Sequence, residues 1–278
     1  MAKFVKKIYE LIMKPEMKIL PGQLAFFLVL AIFPLLTLVG YIGSNISLFS
    51  NAFTSLIDDA FPKAVADIIL PFVTNSKITG NVAFFMIIGF ILVSNGTNSL
   101  IIASDELFDI PSDNYVKRRV KAFFMIILLM ALFIFTVLVL AYGNVLARLI
   151  INQSIFDNVS DKLYFFFVLL KWPVALILIF FAVKLLYTIA PDDKIPSKFM
   201  NLGALFTTFG WAITTEIYSY YIAHWANYTM FYGGISTIVV MMIWIYFLSF
   251  ILVLGIAINS NIYNEEKKYN MIKDVQNN

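Results

Sequence analysis

The sequence predicts an all-α polytopic membrane helix bundle with six transmembrane helices, and three observations carry that expectation. Of 278 residues, 61% are hydrophobic and 13% charged, whereas a soluble domain is about 45–50% apolar and about 25% charged. So few charges cannot cover a water-facing surface, and lipid has to serve as much of the solvent. Six continuous apolar runs approach the ~20 residues that a helix needs to cross ~30 Å of hydrocarbon. None of them alternates over ~10 residues as barrel strands do, so each run has to satisfy its backbone within its own helix.

The first run covers residues 24–42, behind a segment with Lys3, Lys6, Lys7, Lys14 and Lys18 but no apolar signal-peptide core. This span is expected to act as an uncleaved targeting segment. Residues 44–81 place Phe49, Phe53, Leu56, Ile57, Phe61, Val65, Ile68, Ile69 and Phe72 at helical spacings, interrupted by Pro62 and Pro71. With Asp58, Asp59 and Asp67 toward water, this reads as two short amphipathic helices on the extracytoplasmic face. The second span covers 82–103 and continues through Asp105, Glu106 and Asp109 to an elbow at Pro111. Further spans cover 120–142, 163–189, 202–222 and 235–258, and a polar cytoplasmic tail covers 260–278. No linker or repeat divides the chain, so 1–278 is expected to form a single integral membrane domain.

Basic residues set the orientation. Besides the five N-terminal lysines, Lys117, Arg118, Arg119, Lys121, Lys194, Lys198, Lys267, Lys268 and Lys273 fall on one side, against Lys63, Lys77, Arg148 and Lys162 on the other. The positive-inside rule then places both termini in the cytoplasm. The net charge of +3, spread along the chain, does not make the concentrated basic face of a nucleic-acid binder.

Polar residues inside the spans are costly and carry most of the functional information. Ser94, Asn95, Gly96, Thr97, Asn98 and Ser99 form an unbroken block in the second span. Such a block either lines a passage, as in discontinuous transporter helices, or hydrogen-bonds helices at a tight crossing. Lys171 and Glu216 sit at similar depths in antiparallel spans, each roughly 10–12 Å below the outer boundary. They are expected to form a structural ion pair inside the bundle, with a transport-coupled role for Glu216 as the competing reading. Asn95, Thr97, Asn98, Lys171 and Glu216 are therefore the residues of a candidate substrate pathway. Gly203, Thr207, Gly210 and Thr214 share one face and suit close helix packing.

Catalytic chemistry finds little support. No Cys is present and His224 is the single His; flanked by Trp225, Asn227, Tyr228, Phe231 and Tyr232, it reads as part of an interfacial aromatic belt. Asp105, Glu106 and Asp109 could hold a hard cation, but a solvated helix end explains them equally well. No metalloprotease, hydrolase or phosphate-loop signature is found. No catalytic residue, metal site or cofactor is expected, and the chain is not expected to be an enzyme.

Motifs along the chain carry a resemblance. They are Ala25-Phe26-Phe27 and Phe33-Pro34-Leu35, then Leu186-Tyr187 with Pro191, Gly203-Ala204-Leu205, Tyr232-Gly233-Gly234-Ile235, Trp244-Ile245-Tyr246, and Gly255 with Asn259. In this order they resemble the YihY/BrkB-like integral membrane proteins, a family also carried under the name ribonuclease BN. Ala31 stands where the family often has Ser. Ile256-Ala257-Ile258 lacks the acid that the family commonly has before its Asn. The resemblance implies a six-helix, multi-pass bacterial inner-membrane protein and supplies no settled activity. The polar spans then favour movement of a lipid or small amphiphile across the bilayer, with membrane lipids as partners. A non-transporting membrane scaffold or envelope-integrity protein is the alternative, and ribonuclease activity is the least expected.

Overall fold

The structure, a computed structural model, describes residues 9–44, 54, 57, 63–74, 82–111, 114–128, 160–225 and 228–277. These residues form helices joined by short turns, with no strand among them. In chain order the helices are α1 (Pro15–Ser44), α2 (Lys63–Thr74), α3 (Val82–Leu107), α4 (115–128), α5 (Ser160–Ile189), α6 (Asn201–His224), α7 (Tyr228–Tyr232) and α8 (Ser236–Asn277). Single 3-10 turns at Ser197–Met200 and Gly233–Ile235 lead into α6 and α8.

Local chemistry explains several boundaries. Pro15 opens α1, where a missing N–H costs nothing and a fixed φ favours the helix. Helix α3 ends in a left-handed Asp109, at φ 55°, a conformation that Asp tolerates better than most residues. Ile110 N–H then bonds back to Asp105 O at 2.9 Å and Asp109 N–H to Glu106 O at 3.4 Å. This is the Schellman arrangement, and Pro111 next to it prevents the helix from resuming.

Helix α1 packs along α3 and α8, α8 along α6, and α6 along α5. Two apolar cores result. The larger joins Met17, Leu20 and Leu24 with Leu100, Met125, Val183, Met200, Val253 and their neighbours. It lies at the end of the bundle that holds the α3 elbow, called here the elbow end. The smaller joins Ala25, Ile57, Val65, Ala66, Tyr218, Val240, Met241 and Trp244 at the far end.

One sequence expectation needs correction. Pro71 does not break the 63–74 segment: α2 runs through it to Thr74, because Pro71 stands in the last turn and its missing N–H forfeits a single intrahelical bond, to the Asp67 carbonyl. Val65 and Ala66 are buried against the bundle, and α2 packs on both α1 and α8, with Asp67 left exposed. Most of residues 44–62 lies outside the described residues.

The polar tail is helical. It continues α8 to Asn277, making a helix of 42 residues, roughly 63 Å long at 1.5 Å per residue. Among the described residues this is the one helix long and apolar enough to cross a membrane, with a mean hydropathy of 2.7 in its apolar part, while Pro173–Ile189 is a shorter apolar run. Exposed apolar stripes face outward elsewhere. Leu202, Leu205, Phe209, Ile213, Ile217 and Tyr220 form one along α6, and Val120, Phe123, Phe124 and Ile127 one along α4. Patches this continuous mark contact with lipid or another protein.

Candidate functional site

The elbow end gathers buried and half-buried polar groups from five helices. Along the α6–α8 seam Gly203 and Gly255 let the backbones touch. A Cβ on Gly203 would run into the Gly255 carbonyl and the Asn259 side chain, and one on Gly255 into Thr207 and Tyr187. At Gly210 a Cβ would meet Ile251 at 2.8 Å.

Hydrogen bonds close the same seam. Gly203 N–H donates to Asn259 Oδ1 at 2.7 Å. The Tyr187 hydroxyl of α5 donates to Leu252 O at 2.7 Å and meets Thr207 Oγ1 at 2.6 Å. A hydroxyl has one proton, so with Tyr187 donating to Leu252 the short contact is Thr207 donating to Tyr187, in competition with its longer approach to Ile251 O at 3.4 Å. Asn259 is fully buried and its Nδ2 has no hydrogen-bond partner. Farther along, Trp211 Nε1 donates to Leu248 O at 2.9 Å.

A second network joins the elbow to the connection between α5 and α6. Asp105, 2% exposed in the last turn of α3, accepts the Asp192 backbone N–H through Oδ1 at 2.8 Å. Lys121 of α4 donates to Ala190 O at 2.8 Å, Pro191 O at 2.6 Å and Asp192 Oδ1 at 2.7 Å. It thereby places a positive charge at the negative C-terminal end of α5, where the helix dipole favours it. The Oδ2 atoms of Asp105 and Asp192 are both buried without a hydrogen-bond partner. Burial first, and then the charge of Asp192, push the Asp105 carboxyl up from 3.8 to about 6. From α8, Ser260 Oγ donates to Leu107 O and so holds the elbow from its other side.

The polar block of α3 turns toward α4. Asn95, half-buried, accepts Arg119 Nη1 at 2.7 Å. Thr97, buried, reaches Ala122 O on α4 at 3.3 Å as well as Val93 O and Ser94 O of its own helix at 3.2 and 3.1 Å. Asn98 is half-buried, with an Oδ1 that has no hydrogen-bond partner. Glu216 is exposed on α6, within the outward apolar stripe. Lys171 belongs to α5, but its side chain lies outside what is described, and with it the expected pair to Glu216.

Other sequence candidates are dispersed. The acidic run divides, since Asp105 is buried while Glu106 and Asp109 are exposed. Among the described residues no three His, Cys, Asp or Glu side chains are grouped to hold a metal. His224 is exposed, sets its Nδ1 2.9 Å from Tyr220 O and stacks on the Tyr220 ring at 4.2 Å between centroids.

Sequence reasoning missed the roles of Lys121 and Asp192. An acid following Ala190-Pro191 at the end of an apolar span was the available signal for Asp192. Nothing local pairs it with residues 71 and 87 positions earlier.

Comparison with known proteins agrees with the resemblance. The profile of the family described as Virulence factor BrkB matches residues 12–276. The ribonuclease-like protein YfkH of Bacillus subtilis is 25% identical over 268 residues, covering 95% of this chain and 96% of its own. A UPF0761 membrane protein of Vibrio campbellii is 26% identical over 258 residues, covering 88% of this chain and 77% of its own. A third relative, a UPF0761 membrane protein of Vibrio parahaemolyticus, is 25% identical and covers 95% of this chain and 83% of its own. No solved structure matches significantly. Matched almost from end to end, the chain belongs to the BrkB family of membrane proteins.

Proposed function

We propose that this chain is a multi-pass protein of a bacterial cell membrane that moves a lipid or small amphiphile between leaflets and is not an enzyme. On this reading it forms one integral membrane domain over 1–278, crosses the bilayer six times and keeps both termini in the cytoplasm. The outward apolar stripes of α4 and α6 and the length of α8 support the membrane placement.

The observation that carries the transport reading is Glu216. It lies exposed among Ile213, Ile217 and Tyr220 on the outward stripe of α6, about 12 Å from the His224 end of that helix. A charge facing hydrocarbon costs about 2.5–3.5 kcal/mol even on the mildest insertion scale. Glu216 offers a polar step to a headgroup that slides along α6 with its tails in lipid. Asn95 and Asn98 would extend the polar path at the α3–α4 side.

A second reading, a non-transporting scaffold, draws on the Gly203–Gly255 seam, which ties α6 rigidly to α8. Ribonuclease chemistry, suggested by the name of one relative, comes last, since phosphodiester hydrolysis at a metal needs clustered hard ligands beside an open site.

Reconstitution into liposomes with labelled phospholipids tests the proposal. Wild-type protein should speed exchange between leaflets, and Glu216→Leu should slow it several-fold without loss of folded protein. Absence of protein-dependent exchange across zwitterionic and anionic lipids would sink the transport reading and favour the scaffold.

A further inference from the structure

We propose that Asp105 and Asp192 together form a proton-binding site, which latches the 190–195 connection onto the end of α3 when it holds a proton and loosens it when the proton leaves. The proposal is independent of the transport reading.

Counting protons leads to it. The Lys121 ammonium has three hydrogens, and all three are committed, to Ala190 O, Pro191 O and Asp192 Oδ1. It has none left for Asp105. The Asp192 backbone N–H serves Asp105 Oδ1. One oxygen on each carboxyl group, both Oδ2 atoms, therefore remains buried without a donor.

Ionised acceptors left dry in this way are costly. A single proton shared between the two carboxyl groups removes the deficit, since one group becomes a donor to the other. Charge gives the same count: with one proton the pair carries a single negative charge against the single positive charge of Lys121. Without it, an uncompensated negative charge stays buried at the elbow.

Among the described residues, two charged groups act on Asp105, Asp192 from the connection and Lys121 from α4. The other described elements at this end contribute none. Lys14, just before α1, and Lys18 on it are both exposed, with Glu16 between them, and α8 carries no charge before Glu265; none enters the electrostatics of Asp105.

Asp105 lies beyond the apolar part of α3, and its carboxyl titrates near 6 in place of its ordinary 3.8. A raised folded-state value means that the folded protein binds the proton more tightly than the unfolded chain does. The stabilisation is therefore complete below about 3.8 and is lost as pH rises through about 6. The proton comes from solvent and returns to it.

The full-length protein in lipid nanodiscs tests this by infrared difference spectroscopy from pH 4.5 to 8. A protonated-carboxyl C=O band should titrate with a midpoint near 6, and Asp105→Asn should abolish it. Asn keeps the acceptor for the Asp192 N–H and supplies a permanent donor to the Asp192 carboxylate, so this variant mimics the protonated pair. Asp192→Asn should keep the band but lower its midpoint, because the repelling charge is gone.

Hydrogen exchange of 190–195, corrected for the intrinsic pH dependence, should accelerate as wild type passes the midpoint and stay slow in Asp105→Asn. A titrating band unchanged in Asp105→Asn, no such band at all, or pH-independent exchange of 190–195 in wild type would each overturn the proposal.

Discussion

At the elbow end, polar groups from different helices are tied to one another: Lys121 binds two carbonyls and a carboxylate, Tyr187 bridges α5, α6 and α8, and Ser260 reaches from α8 to the α3 elbow. At the far end the described α6–α8 hydrogen bonds include Tyr218 to Val240 O at 2.8 Å and Trp244 to Thr215 at 3.3 Å. There Trp225, Met230 and Phe231 stand exposed. The glycines follow the same division, since Gly203 and Gly255 allow backbone contact toward the elbow end, whereas a Cβ on Gly233 would meet nothing within 4 Å. The contrast shows where each end finds its stability. The elbow end adds to the larger apolar core a set of directional bonds that a single substitution can orphan, whereas the far end rests on the smaller core with fewer such bonds among the described residues.

Substitutions can break that contrast in order of severity. Gly255→Val should have the largest effect, because its side chain would have to occupy the space of Thr207 and Tyr187. Overpacking of this kind costs about 3 kcal/mol or more where backbones are in contact, and the yield of folded protein on size-exclusion chromatography should collapse. The same substitution at Gly233 is no size control, since that residue has φ +54°; Gly22, where a Cβ meets nothing within 4 Å, is the better position, and Gly22→Ala should leave the yield unchanged.

Lys121→Met comes next. It strands the Asp192 carboxylate, 8% exposed, and removes the cap from the end of α5. Truncating one partner of a buried pair costs about 3 kcal/mol, and a lowered thermal midpoint in detergent should report it. A midpoint equal to wild type would mean that the elbow is not held by this network.

The smallest effect belongs to the far end. Tyr218→Phe deletes one hydroxyl bond to Val240 O, whose carbonyl is within helix α8, and should cost about 1 kcal/mol. If its loss equalled that of Lys121→Met, the division of labour between the two ends would be wrong.

The helical class was legible in the sequence because a continuous apolar run is a local property of the chain. The elbow at Asp109 and Pro111 could be read from residue types, and four residues of the motifs quoted for the family resemblance meet in space. Tyr187, Gly203, Gly255 and Asn259 come from different parts of the chain and converge on one seam. The expected substrate pathway was harder to read. A polar block at membrane depth states that its groups need partners, not which ones; Asn95 found Arg119, and Glu216 lies on an outward face that periodicity alone did not assign.

The sequence by itself determined the solvent, the helical class and the family, since composition, run length and ordered motifs are properties of the chain read one segment at a time. Only the tertiary structure decided that Asp105, Lys121 and Asp192 share one buried site while Glu106 and Asp109 face outward. Which neighbour a buried charge meets depends on how separate helices pack, and the hydrophobic pattern that buries a residue does not name the residue across from it.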